Sequence, residues 1–201
     1  MKIDPVHMNF EESHELLLSA IVPRPIAYIS TVDERGNTNG APFSAYTAFP
    51  TDPRPMVVFI VARRKSGEEK DTLLNIQYTR DFVVNVVDEA MMDAVVTGAK
   101  HYPRGVSEIE IAGLTALESD LVKSPRVAES PVNMECNLIQ IVELGESWKS
   151  NLVIGEIVRY HIRDDLFVDG QINVKKMRPI GRLCPPSQYC KIGEIFTMEK
   201  D

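Results

Sequence analysis

AYISTVDERGNTNGAPFSAYTAFPTDPRPMVVFIVA, residues 27–62, is the stretch that decides the fold class. It holds three strand-like segments: AYISTVD (27–33), APFSAYTAF (41–49) and MVVFIVA (56–62). Each is rich in the β-branched and aromatic residues that suit a pleated, half-buried surface. DERGNTNG, a run of turn residues, separates the first two, and Pro50, Pro53 and Pro55 break the second from the third. MVVFIVA is a continuous apolar run, the pattern of a buried strand. No helical segment intervenes, so the pattern reads as antiparallel.

Outward from this stretch the pattern continues. Upstream, FEESHELLLSA (10–20) reads as a short helix, with Phe10, Leu16, Leu17 and Ile21 near helical spacing. Downstream, a helix is expected from about Asp71 to Thr79, with Asp71 or Thr72 as its cap. DFVVNVVD (81–88) follows as a strand, and EAMMDAVVTGAK (89–100) as a helix. HYPRGVSEIEIAGL (101–114) reads as loop. VNMECNLIQIVELG and SNLVIGEIVRYHIRDD are strand-like and joined by a short connection, and Asp169-Gly170 marks a hairpin. The tail RPIGRLCPPSQYCKIGEIFTM is proline-rich and reads as irregular. Roughly six or seven strands against two or three helices, without βα alternation and without a G-x-G-x-x-G motif, exclude a Rossmann sheet. The expectation is a mainly β protein with peripheral helices, a closed or split antiparallel barrel.

Composition narrows the functional classes. The chain has 201 residues, is 44% hydrophobic and carries a net charge of -7. One domain with a real core is expected, and general attraction to nucleic acid or anionic lipid is not. The longest apolar runs, PMVVFIVA and LLLSAIVP, fall far short of the roughly 20 residues of a membrane span. MKIDPVHMNFEES has no apolar signal region, which makes a cytoplasmic protein the expectation. Cys136, Cys184 and Cys190 form no CxxC pair and read as free thiols, a Cys184–Cys190 redox pair being the weaker alternative. His7, His14, His101 and His161 share no metal-ligand spacing, so no metal site is expected, and His161 is expected to point outward from its strand. No Ser-His-Asp arrangement or G-x-S-x-G elbow is readable.

One cluster runs against the acidic balance. VARRKSGEEKDTLLNI (61–76) places Arg63, Arg64 and Lys65 at a strand end and Lys70-Asp71-Thr72 at a helix start. A helix N-terminus offers unsatisfied N–H groups and partial positive charge. Thr72 adds a hydroxyl, and an arginine fork matches phosphate geometry. Together these would cradle a phosphate without a glycine-rich loop. On spacing alone a solvated turn, with Glu68 and Glu69 neutralising the cations, has a slight edge.

IVPRPIAYIST (21–31), NGAPFSAYTAFPTDPRPMVVF (39–59), RRKSGEEKDTLLNI (63–76) and DFVVNVV (81–87) occur in that order, followed by ESPVNMECNLIQI, LVIGEIVRYHI and RPIGRLCPPSQY. This series resembles the flavin reductase-like family over about residues 15–192 of a single 1–201 domain. The resemblance implies a split β-barrel that binds FMN. It implies that Ser44, Ala45, Tyr46 and Thr47 line the isoalloxazine ring, with small residues letting backbone N–H groups reach its polar edge. Asn39 and Ser44 would add side-chain hydrogen bonds. Arg63, Lys70, Asp71 and Thr72 match the phosphate and ribityl region, Asp71 as a helix cap, while Thr31 and Arg24 match a strand near the flavin. It also implies a homodimer, hydride transfer from NADH or NADPH to FMN, and a flavin-dependent oxygenase or another electron acceptor as partner; from charge and apolar run length, no nucleic acid and no membrane partner is expected. The sequence departs from the family pattern at Ser150-Asn151-Leu152-Val153 and at Cys184-Pro185-Pro186, where a nicotinamide or second substrate would meet the flavin.

The alternative reading is a non-enzymatic FMN-binding electron carrier, and a barrel binding single-stranded nucleic acid is a more distant one, disfavoured by the charge. Among the remaining residues, Trp148 is expected to pack an interface or core, or to stack on a flavin. Tyr189 is expected to pack the tail or close over the site. Lys175, Lys176 and Arg178 read as a solvated patch.

Overall fold

The computed structural model describes residues 1–184 and 187–198; Pro185 and Pro186 lie outside the described residues. Helix α1 (Phe10–Ala20) opens the chain on a capping box, in which Asn9 accepts from the Glu12 N–H and Glu12 from the Asn9 N–H. The two-residue β1 (Arg24–Pro25) precedes the strands of the decisive stretch: β2 (Ala27–Val32), β3 (Thr38–Phe43), β4 (Tyr46–Phe49) and β5 (Met56–Ala62). The β2–β3 turn is set by Asp33, whose carboxylate accepts from the Arg35 and Asn37 N–H groups and the Asn37 amide, each at 2.8 Å. Gly36 supplies the positive φ that this turn requires. The segment 41–49 is not one strand: Ser44 and Ala45 divide it, sending β3 to one edge of the sheet and β4 to the other.

Helix α2 (Asp71–Thr79) leads into β6 (Asp81–Val86), then α3 (Met92–Gly98) and the short α4 (Glu108–Ile111). The expected helix over 89–100 opens as a 3-10 turn at Glu89–Met91. The segment 101–114 is not all loop, because Ser107 caps α4 by accepting from the Glu110 N–H. Two-residue strands β7 (Ala116–Leu117) and β8 (Arg126–Val127) pair before the long β9 (Val132–Leu144) and β10 (Ser150–Ile162). The hairpin at Asp169-Gly170 joins β11 (Phe167–Val168) to β12 (Gln171–Ile172). After α5 (Val174–Met177), the tail is irregular only in part: β13 (Ile180–Arg182) and β14 (Tyr189–Lys191) form a three-stranded sheet with β1, while 192–198 has no regular structure. Lys175, Lys176 and Arg178 are exposed, as a solvated patch would be, with Lys176 and Arg178 in surface ion pairs with Asp165 and Glu89.

The main sheet has seven strands in the order β3-β2-β6-β9-β10-β5-β4, with antiparallel ladders throughout. This is the mainly β, split-barrel architecture. MVVFIVA alternates after all: Val57, Phe59 and Val61 point inward, while Met56, Val58 and Ile60 are half-buried. Phe59 sits 5.2 Å from both Phe43 and Phe82, ring to ring, at the centre of the barrel core. At Gly155 a Cβ would lie 2.4 Å from the Phe82 ring, so the glycine lets β10 approach this cluster at a bulge in the β9–β10 ladder. A second cluster, with Tyr28, Met91, Val95 and Ile109, fastens α3 and α4 to the outer face of β2 and β3. That cluster fixes one wall of a cleft along β3. No helix among the described residues is long and apolar enough to cross a membrane.

Candidate functional site

The cleft runs along β3 as two adjoining cavities that share Pro42 and Ala99. The first, of about 210 Å3, is polar. Asn39 and Ala41 of β3, Arg64, the Lys70–Thr72 start of α2, the Gly98–Tyr102 segment and Glu108 enclose it. The second, of about 190 Å3, has the apolar side chains Ile26, Phe43 and Val95 in its walls, with Ser44 and, from the tail sheet, Arg182 and Tyr189 adding polar surface in about equal measure. The Arg182 guanidinium lies 4.5 Å from the Tyr189 ring centroid. Tyr189 thus borders the site instead of packing only the tail.

A hydrogen-bonded chain forms the base of the polar cavity. Asn39, 6% exposed, accepts at Oδ1 from the Thr31 hydroxyl (3.2 Å) and the Thr72 hydroxyl (3.0 Å). Its Nδ2 donates to Glu108 Oε2 at 2.7 Å, and Asn75 donates to the Thr31 hydroxyl at 3.1 Å. One amide therefore ties β2, β3, α2 and α4 together. It also engages the Thr72 proton, so Thr72 offers the cavity an acceptor rather than the free donor expected from sequence. Neither Asp71 nor Thr72 caps α2: Lys70 is the N-cap and makes no side-chain capping bond. Asp71 instead pairs with Arg64 at 3.1 Å. The first amides of α2 have no partner within the helix and stand beside these cations.

Burial, followed by the neighbouring Arg64, pulls the Lys70 ammonium below its ordinary pKa. Its Nζ lies 5.5 Å over the Phe43 ring, at the junction of the two cavities. Burial likewise pushes the Glu108 carboxyl up, and Asp71 adds to this, against bonds from its own N–H, Asn39 and the Gly40 N–H that hold it down. Arg64 also contacts the His101 ring.

Other residues expected at the site lie elsewhere. Arg63 faces away, held by Glu143 at 3.0 Å and Glu69 at 3.6 Å, and it is Arg64 that lines the cleft. Thr31 is buried behind Asn39. Arg24 is buried and reaches the second cavity through Ser44, donating to the carbonyls of Leu18, Ile21 and Leu183 and, at 3.5 Å, to the Ser44 hydroxyl. Of the segment 44–47, only Ser44 lines the second cavity; the Ala45 carbonyl accepts from the Ile60 N–H, and Tyr46 and Thr47 pair with Phe59 and Val58 in the ladder. Trp148 stacks on Phe10 at 4.6 Å, and His161 does not point freely outward, because its Nε2 meets the buried Glu135 carboxylate at 2.6 Å. Sequence reading missed Lys100, His101, Tyr102 and Glu108 as lining residues. The signal for the last was Ser107-Glu108-Ile109-Glu110, an S-x-x-E capping pattern inside an apparent loop.

A cation-lined end beside a helix N-terminus, continuous with an end walled by Phe43, Val95 and Tyr189, has the chemistry of a site for an aromatic ring carrying an anionic tail. The family model described as flavin reductase like domain matches residues 18–177. The chain belongs to the flavin reductase-like family. Among solved structures, nitrilotriacetate monooxygenase component B from Bacillus cereus is 35% identical, with a TM-score of 0.93 over 98% of each chain. A 2-nitrobenzoate 2-nitroreductase from Pseudomonas fluorescens is 29% identical, with a TM-score of 0.89 over 100% of this chain and 96% of that one. An uncharacterized protein of Halalkalibacterium halodurans is 37% identical over 100% of this chain and 96% of its own length. The family is one of flavin-binding proteins, and the donor set of the cleft fits such a cofactor: cations and helix amides at one end, apolar walls at the other.

Proposed function

We propose that this flavin reductase-like protein binds FMN in the β3 cleft and transfers hydride to it from NADH or NADPH. The observation that carries the reading is the pairing of the two cavities: Arg64, Lys70 and the α2 amides at one end, Phe43, Ser44 and Tyr189 at the other. When bound, the flavin supplies the hydride acceptor. Everything else falls to the chain. Lys70, Arg64 and the first N–H groups of α2 would anchor the phosphate, and the depressed Lys70 ammonium would regain its proton affinity beside that anion. Phe43, Val95 and Tyr189 would exclude water around the ring, and Ser44, fixed by Arg24, would contribute a hydroxyl to its polar edge.

The same reading extends to assembly and partners. Phe10, Leu17 and Ile21 near α1 and Ile139, Leu144 and Tyr160 on β9 and β10 are exposed, an apolar surface that supports a homodimer. The 35% identical monooxygenase component supports an oxygenase as the partner, and on this reading the chain would supply it with reduced flavin.

The test is the visible absorption of the purified protein with FMN, followed anaerobically on adding NADH and then NADPH. Rapid bleaching by either nucleotide is the expected result and names the donor. Bound flavin that stays oxidised with both, yet is reduced by dithionite, would replace the reductase with an electron carrier. No bound flavin would remove the cofactor reading altogether.

A further inference from the structure

The polar cavity holds two carboxylates, and their situations differ. Asp71 is paired with the Arg64 guanidinium at 3.1 Å, so its charge is met inside the protein. Glu108 is only 7% exposed, and the partners that hold it are neutral: the Asn39 amide at 2.7 Å and the Gly40 N–H at 3.4 Å, both on Oε2. Asn39 and Thr72 line the same space without charge. Arg64, Lys70, Lys100 and His101 make the cavity a place for an anion, yet Glu108 presents a carboxylate to it. Two anionic oxygens in a water-poor cavity repel each other strongly unless one proton lies between them. The hydroxyls nearby are committed elsewhere: the Thr72 proton goes to Asn39 and the Tyr102 proton to the Thr97 carbonyl. Tyr28 of β2 is fully buried, and burial, then Glu108 and Tyr102, hold its phenol above its ordinary pKa.

Resting on the flavin reading above, we infer that Glu108 and the bound phosphate hold one proton between them, so that the cleft selects a phosphate monoester, an end group that can carry that proton itself. The proton arrives on the phosphate monoanion, whose second pKa is about 6, or is taken from water on binding. A carboxylate has roughly four lone-pair sites, so with two donors on Oε2 there is acceptor capacity left for a P–O–H. Burial already pushes the Glu108 carboxyl up, toward the side on which a shared proton is held. Glu108 is also fixed in place: Asn39 holds it from β3, and the Ser107 hydroxyl beside it in sequence lies 2.7 Å from that of Thr38. A sulfate ester stays fully ionised and brings no proton, so it would have to draw one onto Glu108. Glu108 thus acts as a specificity residue at the phosphate.

The test compares three ligands on two proteins. Dissociation constants of wild type and Glu108→Gln are measured by flavin fluorescence for FMN, riboflavin 5′-sulfate and riboflavin, at about pH 6 and about pH 7.5, at and above the titration of the phosphate itself. Glutamine keeps an oxygen for Asn39 and offers the anion an N–H, so it needs no proton. FMN should bind both proteins within about threefold at the lower pH, and the variant about tenfold tighter at the higher, where wild type must take up the proton. The sulfate ester should favour the variant about tenfold at both. Riboflavin should not distinguish the two proteins, which also shows that the variant keeps its site folded. Arg64, Lys70, Asp71, Lys100 and His101 are the same in both proteins, so their charges cancel in each ratio. On wild type alone, calorimetry in two buffers of different ionisation heat should show uptake of about one proton with FMN at the higher pH and none with riboflavin. No proton taken up with FMN, or a variant that binds FMN more weakly at both pH values, would overturn the inference and leave Glu108 a plain acceptor. Equal loss for all three ligands would overturn it too, reducing Glu108 to the tie between α4 and β3. If wild type binds none of the three, the flavin reading fails first and takes this one with it.

Discussion

At the Lys70 end the cleft is made of charge, and at the Tyr189 end it is made of surface. The polar cavity gathers Arg64, Lys70, Asp71 and Glu108 beside one asparagine, with Arg64 and Asp71 aligned by their ion pair, Glu108 by the Asn39 amide, and Lys70 set over the Phe43 ring. The second cavity has Ile26, Phe43 and Val95 packed into the two cores, with Arg182 stacked on Tyr189 at its rim. The two ends therefore respond to different changes. Charge-assisted bonds are directional and are worth about 1.5–3 kcal/mol each, so losing a donor is felt only by a ligand with a matching group. Apolar walls act on any ring that fills them, in proportion to the area covered.

Breaking the polar end should have the largest effect. Arg64→Ala with Lys70→Ala should weaken FMN about a hundredfold or more and leave riboflavin within about threefold, measured by titration of flavin fluorescence. Equal losses for both would erase the distinction between the ends. Next comes Tyr189→Ala, which should weaken FMN, riboflavin and lumiflavin together by roughly fivefold to tenfold, since ring contact is common to all three.

A smaller and pH-dependent effect should appear at Lys70. Its folded pKa is depressed, so with rising pH the folded chain releases this proton before the unfolded one does. Between the two values the unfolded state holds more protons, and stability without ligand should rise with pH. FMN affinity should move the opposite way, falling as Lys70 loses its charge while riboflavin affinity stays level. Lys70→Met should flatten both trends in urea-unfolding and binding curves taken between neutral and alkaline pH. The smallest effect belongs to Arg63→Ala: FMN affinity within about twofold of wild type, because the partners of Arg63, Glu69 and Glu143, lie outside the cleft.

How much of this was legible in the sequence follows from the length of each signal. Strands such as 56–62 and 150–162 announce themselves, because several apolar side chains repeat along one element. The sheet of β1, β13 and β14 did not, since its strands are two or three residues long and join Arg24 to Arg182 across most of the chain. Four-residue α4 is too short to establish a helical period, and Glu108 was hidden with it. The cation cluster could be located but not resolved to a residue. Arg63 and Arg64 are neighbours just past the end of β5, where consecutive side chains diverge, and spacing alone cannot say which of them turns to the cleft. Likewise Thr72 was legible as a hydroxyl at a helix start, but the direction of its proton depends on Asn39, a residue on another strand.

Arg24 has a consequence for the ends of the chain. Its buried guanidinium gathers carbonyls from Leu18 and Ile21 on one side and Leu183 on the other, and reaches Ser44 with what remains. Sequence that looks peripheral is therefore stitched to Ser44 in the wall of the second cavity. Trimming the chain past Leu18, or back beyond Leu183, would strip acceptors from a charge with little access to water. Such shortened forms should be more open to protease around Ser44, a place far along the chain from either cut.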